Sequence, residues 1–104
     1  MIRLLVLYPN KPDAKFDFDY YIGTHVPLFK QRMEPFGLLR VEVDRGVPGP
    51  APDSPAPFAA VFLCVFQSLE NFQKGLAAHA PEILADLPNF TNIQPQVQIS
   101  EMLR

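Results

Sequence analysis

A tyrosine and a histidine four residues apart, with a proline two positions further on, form the part of this chain best equipped for chemistry. They lie in the run Phe16-Asp17-Phe18-Asp19-Tyr20-Tyr21-Ile22-Gly23-Thr24-His25-Val26-Pro27-Leu28. Asp17 can cap a helix, because its carboxylate accepts from the free amides of a first turn. From there Tyr21, His25, Leu28 and Arg32 recur at helical spacing and share one face. An imidazole takes or gives a proton near neutral pH, so His25 is the candidate general acid/base. Tyr21, one turn earlier, is the candidate to orient it, and Leu28 is a candidate wall of a substrate pocket. Pro27 has no N–H and would clash with the Gly23 carbonyl, which predicts a kink between Gly23 and Val26. The competing structural role for His25 is to satisfy that freed carbonyl and hold the break together.

The other polar residues carry weaker signals. Asn89 and Phe90 are candidates for the pocket rim, although Asn and Asp in the Asp86–Asn92 stretch ordinarily build turns through their own backbone. Tyr20 must point away from Tyr21 and is expected to lie against the surface. His79 is expected to cap the end of a helix. Cys64 sits in an apolar run and is expected to pack rather than react. No Gly-rich phosphate loop, H-E-x-x-H pair or Cys/His cluster is present, so neither a metal nor an organic cofactor is expected.

These residues need elements to position them. Ile2–Tyr8 reads as a strand, Asp17 to about Phe36 as a kinked helix ended by Pro35 and Gly37, and Leu39–Val47 as an alternating strand. Five prolines between Pro48 and Pro57 make a stiff connection. Phe58–Gln67 reads as an almost wholly apolar strand. Ser68 caps a second helix running to about Ala78, an irregular stretch with one short helical turn follows, and Ile93–Met102 is the last strand. The order βαββαβ predicts an α+β, ferredoxin-like domain: a four-stranded antiparallel sheet with both helices on one face.

In that arrangement the first and third strands are central, and both are apolar on two sides. Two helices cover one face only, so the other needs a cover, and a second copy of the chain related by a two-fold axis supplies it. The 104 residues make one domain, 1–104, with a net charge of −2 and no basic stripe, which argues against nucleic acid as a partner. The apolar N-terminal run is too short for a membrane span and lacks the marks of a signal peptide. With one cysteine, no internal disulfide is possible, and a cytoplasmic location is expected.

The F-D-x-D-Y-Y-x-x-x-H-x-P-L pattern resembles the EthD family, named for ethyl tert-butyl ether degradation. Val41-Glu-Val-Asp-Arg-Gly46, Asp86-Leu-Pro-Asn-Phe-Thr91 and Gln94-Pro-x-Val-Gln-Ile-Ser-Glu101 extend the resemblance over essentially the whole chain. It implies a dimeric α/β barrel, two ferredoxin-like sheets packed face to face as a homodimer. Relatives in that superfamily include cofactor-free monooxygenases, polyketide cyclases, lactone isomerases and haem-degrading enzymes, and close members often carry an oxidoreductase label. Two functions fit. One is cofactor-independent acid/base or oxidoreductase chemistry by His25 on a small apolar or aromatic metabolite. The other is a non-catalytic accessory or ligand-binding protein of a degradation pathway.

Overall fold

The strands form where apolar and β-branched side chains alternate, and the computed structural model, which describes residues 1–103, places them in one antiparallel sheet. Strands β1 (Ile2–Pro9), β2 (Leu38–Arg45), β3 (Phe58–Phe66) and β4 (Gln96–Glu101) lie in the order β2-β3-β1-β4. The fold is the ferredoxin-like βαββαβ arrangement read from the sequence, with its central and edge strands as expected. The outer strands are shorter than expected, since Val47, Ile93 and Met102 lie outside the ladder.

Helix α1 covers residues 18–33 in three parts. An α-helical turn (Phe18–Tyr20) leads into a π-helical turn (Tyr21–His25), and α-helix resumes over Val26–Met33. Asp17 caps it, its carboxylate accepting from the Tyr20 amide at 3.1 Å. The expected break is therefore present, as a π-turn in which the Val26 amide donates to the Tyr21 carbonyl. Pro27 ends the π series because it has no amide to continue it. A 3₁₀ turn (Glu34–Phe36) and Gly37, at φ +88°, close the helix, a left-handed conformation that glycine adopts without strain.

Helix α2 (Leu69–Ala85) is capped by Ser68 and runs straight through Pro81. This corrects the expected end near Ala78 and makes His79 a mid-helix residue, its ring edge-on to Phe36 rather than capping carbonyls. Pro81 leaves the Ala77 carbonyl without its helical donor, but Ala77 is exposed and water can serve it. Burial of Ile83 beyond the proline rewards continuing the helix.

Alternate residues of β1 and β3, among them Leu4, Tyr8, Phe62, Cys64 and Phe66, meet Phe29, Met33 and Phe72 of the helices in a single core. Burial pushes the Cys64 thiol up to about 12, leaving it inert at neutral pH. On the opposite face Leu5 pairs with Leu63 and Leu7 with Val61. All four are only half-buried, flanked by Glu42 and Asp44 on one side and Gln96 and Gln98 on the other.

Candidate functional site

The start of α1 is sewn to the segment before β4, and this brings together residues far apart in the chain. Phe16 and Thr91 form an isolated β-bridge, and the Asp17 amide donates to the Phe90 carbonyl at 2.8 Å. The Asn92 side chain accepts from the Lys15 amide at 2.8 Å and donates to the Asp13 carbonyl at 2.9 Å. The 3₁₀ turn Leu87–Asn89 that follows α2 is thereby held against the first turns of α1.

Asp86, at the junction of α2 and that turn, reaches into α1. Its Oδ2 lies 2.9 Å from Nδ1 of the buried His25. Its Oδ1 accepts from the Tyr20 hydroxyl at 2.6 Å and from the Asn89 side-chain amide at 2.8 Å. Burial pushes the Asp86 carboxyl up. The hydrogen bonds from Tyr20, Asn89 and His25, with the attraction of a charged His25, outweigh this and hold it below the usual carboxylate range. An ionised carboxylate can only accept, so Nδ1 of His25 must donate. In the neutral ring Nε2 then carries the lone pair. The same carboxylate raises the pKa of the Tyr20 hydroxyl, since it favours the protonated donor.

The ring of His25 borders an apolar cavity of about 260 Å³, together with Tyr21 and Phe29 of α1, Phe62 of the sheet, and Leu76 and Ile83 of α2. Leu84 and Val97, which also border it, are each 61% exposed and mark where it reaches solvent between α2 and β4. Among the described residues no lysine, arginine or carboxylate lines it. Among the described residues no group of three or more His, Cys, Asp or Glu side chains is placed to hold a metal ion, and no helix is long and apolar enough to cross a membrane.

Of the residues singled out from the sequence, His25 and Tyr21 both border the cavity, but not in the relationship expected. Tyr21 stacks on His25 with ring centroids 5.4 Å apart, while its hydroxyl turns to Tyr8. Burial and the neighbouring Tyr8 push that hydroxyl far above its ordinary value, which makes it a poor proton donor. Orientation of His25 falls to Asp86 instead. Leu28 is half-buried and outside the cavity, because the π-turn inserts one residue per turn and hands the inner position to Phe29.

Phe90 is buried against His25, centroids 4.6 Å apart, and does not line the cavity; Asn89 is bound to Asp86 rather than to a rim. From the Asp86–Asn92 stretch only Leu87 reaches the cavity, and α2 forms the wall where a rim of Asn89 and Phe90 was expected. Sequence reasoning missed the pairing of Asp86 with Tyr20, which are 66 positions apart. The one signal was that an Asp and an Asn three residues apart stood in a conspicuous D-L-P-N-F-T run.

No family model matches the chain, and no curated protein does. Among solved structures, an EthD-like protein from Ralstonia eutropha JMP134 is 36% identical, with a TM-score of 0.93, covering 99% of this chain and 92% of that one. An ethyl tert-butyl ether degradation (EthD) family protein from Bacillus halodurans C-125 is 21% identical with a TM-score of 0.69, covering 99% of each chain. A dimeric ferredoxin-like protein from an uncultured marine organism is 12% identical with a TM-score of 0.61, covering 99% of this chain and 94% of that one. At such identities the last two bear on the fold alone.

Proposed function

The chain belongs to the EthD-like family, and on that premise we propose that it binds a small apolar or aromatic molecule and moves a proton on it with His25 as general acid/base. The observation that carries this reading is that His25, in the wall of an apolar cavity, is held by Asp86 behind it. Asp86 keeps a proton on Nδ1, so Nε2 is free to take one from an acidic C–H or O–H of the ligand. The imidazolium that forms is stabilised by the carboxylate 2.9 Å away. Returning the proton to a different atom of the same ligand completes an isomerisation or a cyclisation, and atoms balance without a second reactant. The water-poor wall strengthens the attraction between the charges, and the side chains around the ligand supply binding through burial of apolar surface.

The half-buried Leu5, Leu7, Val61 and Leu63 support a second copy of the chain as the cover of the helix-free face. The uncultured-organism protein of like fold is described as dimeric. The buried, unpaired Cys64 is in keeping with a cytoplasmic location.

2-Tetralone, an aromatic ketone with acidic C–H bonds, tests the reading. Deuterium uptake by the ketone in heavy water, followed by proton NMR, should be accelerated by the protein. His25→Ala should lower that acceleration by roughly 10²–10⁴-fold while binding persists. Binding with no acceleration by the parent protein would leave a non-catalytic ligand binder. Neither binding nor acceleration would overturn the reading.

A further inference from the structure

We infer that Tyr20 and Asn89 are positioning residues: they hold one oxygen of Asp86 so that the other stays on His25 Nδ1, and thereby set which ring nitrogen meets the cavity. A carboxylate at the end of a helix can turn about its own bond and face water. Here Oδ1 is gripped by the Tyr20 hydroxyl at 2.6 Å and by the Asn89 amide at 2.8 Å. The two donors come from different elements, Tyr20 from the first turn of α1 and Asn89 from the 3₁₀ turn after α2. Tyr20 is itself steadied by stacking on Phe90, whose ring also abuts His25.

With Oδ1 fixed by both, Oδ2 has one place to go, 2.9 Å from Nδ1. Both clamping donors are uncharged, so they hold the carboxylate without competing as cations for its charge. An imidazole pinned by its Nδ1–H offers its Nε2 lone pair to the cavity. Without the clamp the carboxylate swings away and the ring loses the acceptor that selects this tautomer.

This inference rests on His25 being the proton-transfer group, but the ring nitrogens report the clamp whether or not any ligand reacts. Nitrogen-15 NMR of histidine-labelled protein at about pH 8, where a histidine is ordinarily neutral, reads the tautomer, and a His79→Gln variant assigns the other histidine. The parent should carry its His25 proton on Nδ1. In Tyr20→Phe/Asn89→Ala the proton should move mainly to Nε2, or the Nδ1–H should exchange with water about tenfold faster, the size expected for losing a charge-assisted hydrogen bond. Tyr20→Phe alone removes one oxygen from a half-exposed ring and should give an intermediate result even where the double variant does not fold. A parent protonated on Nε2, or variants with the parent's spectrum, would overturn the clamp. Failure of tetralone exchange in a parent protonated on Nδ1 would overturn the proposed chemistry and leave the clamp standing.

Discussion

Nδ1 of His25 lies 2.9 Å from Oδ2 of Asp86, a residue 61 positions further along the chain. The contact joins the π-turn of α1 to the C-terminal end of α2, so it ties two elements together as well as holding the ring of the proposed base. Its two roles can be separated by pH.

The native carboxyl of Asp86 titrates below its ordinary value of 3.8. A depressed acid stabilises the fold above its unfolded pKa, and that contribution disappears as pH falls through the native one. Asp86→Asn removes the charge-assisted bonds and should cost about 1–3 kcal/mol at neutral pH. The gap between parent and variant should be fully present above the ordinary carboxyl pKa of about 4 and should close on acidification below it. Urea unfolding across that range checks this. A gap that is constant with pH would show that the carboxylate's charge is not what stabilises the native state.

How much of this was legible in the sequence depends on the distance between partners. Period-two alternation in Val41–Val43 and Val97–Ile99, against the continuous apolar run of Phe58–Phe66, was enough to order the strands and to mark the uncovered face. His25 was visible because helical spacing put it on an inner stripe. The π-turn was visible only as a break, and its one-residue slip is what moved the inner position from Leu28 to Phe29. The expected helix end near Ala78 was too early because nothing local reveals that Ile83 is worth burying beyond Pro81. Asp86 and Tyr20 could not be paired from the sequence, since their meeting depends on the Asn92 and Thr91 bonds that dock one segment on another.

Pro27→Ala asks what maintains the π-turn. The new amide could donate to the Gly23 carbonyl and favour an ordinary α-helix. Straightening would rotate Tyr21, now 1% exposed, and His25 out of line with Phe29 and Met33, which loses more than one hydrogen bond gains. The π-turn should therefore persist in a crystal structure of the variant, with stability changed by no more than about 1 kcal/mol. A regular helix through this region would show that the proline, rather than packing, imposes the turn.

Gly46, at the end of β2, has its own test. Its amide donates to the Ala59 carbonyl at 2.9 Å. A Cβ there would sit 2.0 Å from the Phe58 carbonyl oxygen and 2.9 Å from the Ala56 Cβ. The first of these is backbone within the β3 ladder and cannot yield as a side-chain tip would. Gly46→Ala should cost about 1–3 kcal/mol, lowering Tm by roughly 5–20 °C for a domain of this size. A thermal melt within about 1 °C of the parent would mean that the strand end relaxes freely.

The helix-free face bears the last prediction. Leu63 lies across from Leu5 on β1 and Glu42 on β2, in the middle of the half-buried apolar rows. Light scattering of the parent at micromolar concentration should give a dimer, consistent with a buried area of at least about 1,200 Å² in total. Leu63→Asp puts a charge where a partner sheet is proposed to pack and sets it beside a second carboxylate, Glu42. Two apolar rows that rely on each other for cover gain nothing by separating into water, so the variant should aggregate or lose its cooperative thermal transition rather than form a soluble monomer. A parent that scatters as a folded monomer would remove the face-to-face dimer. A Leu63→Asp variant that stays dimeric with an unchanged melt would move the interface to another face of the molecule.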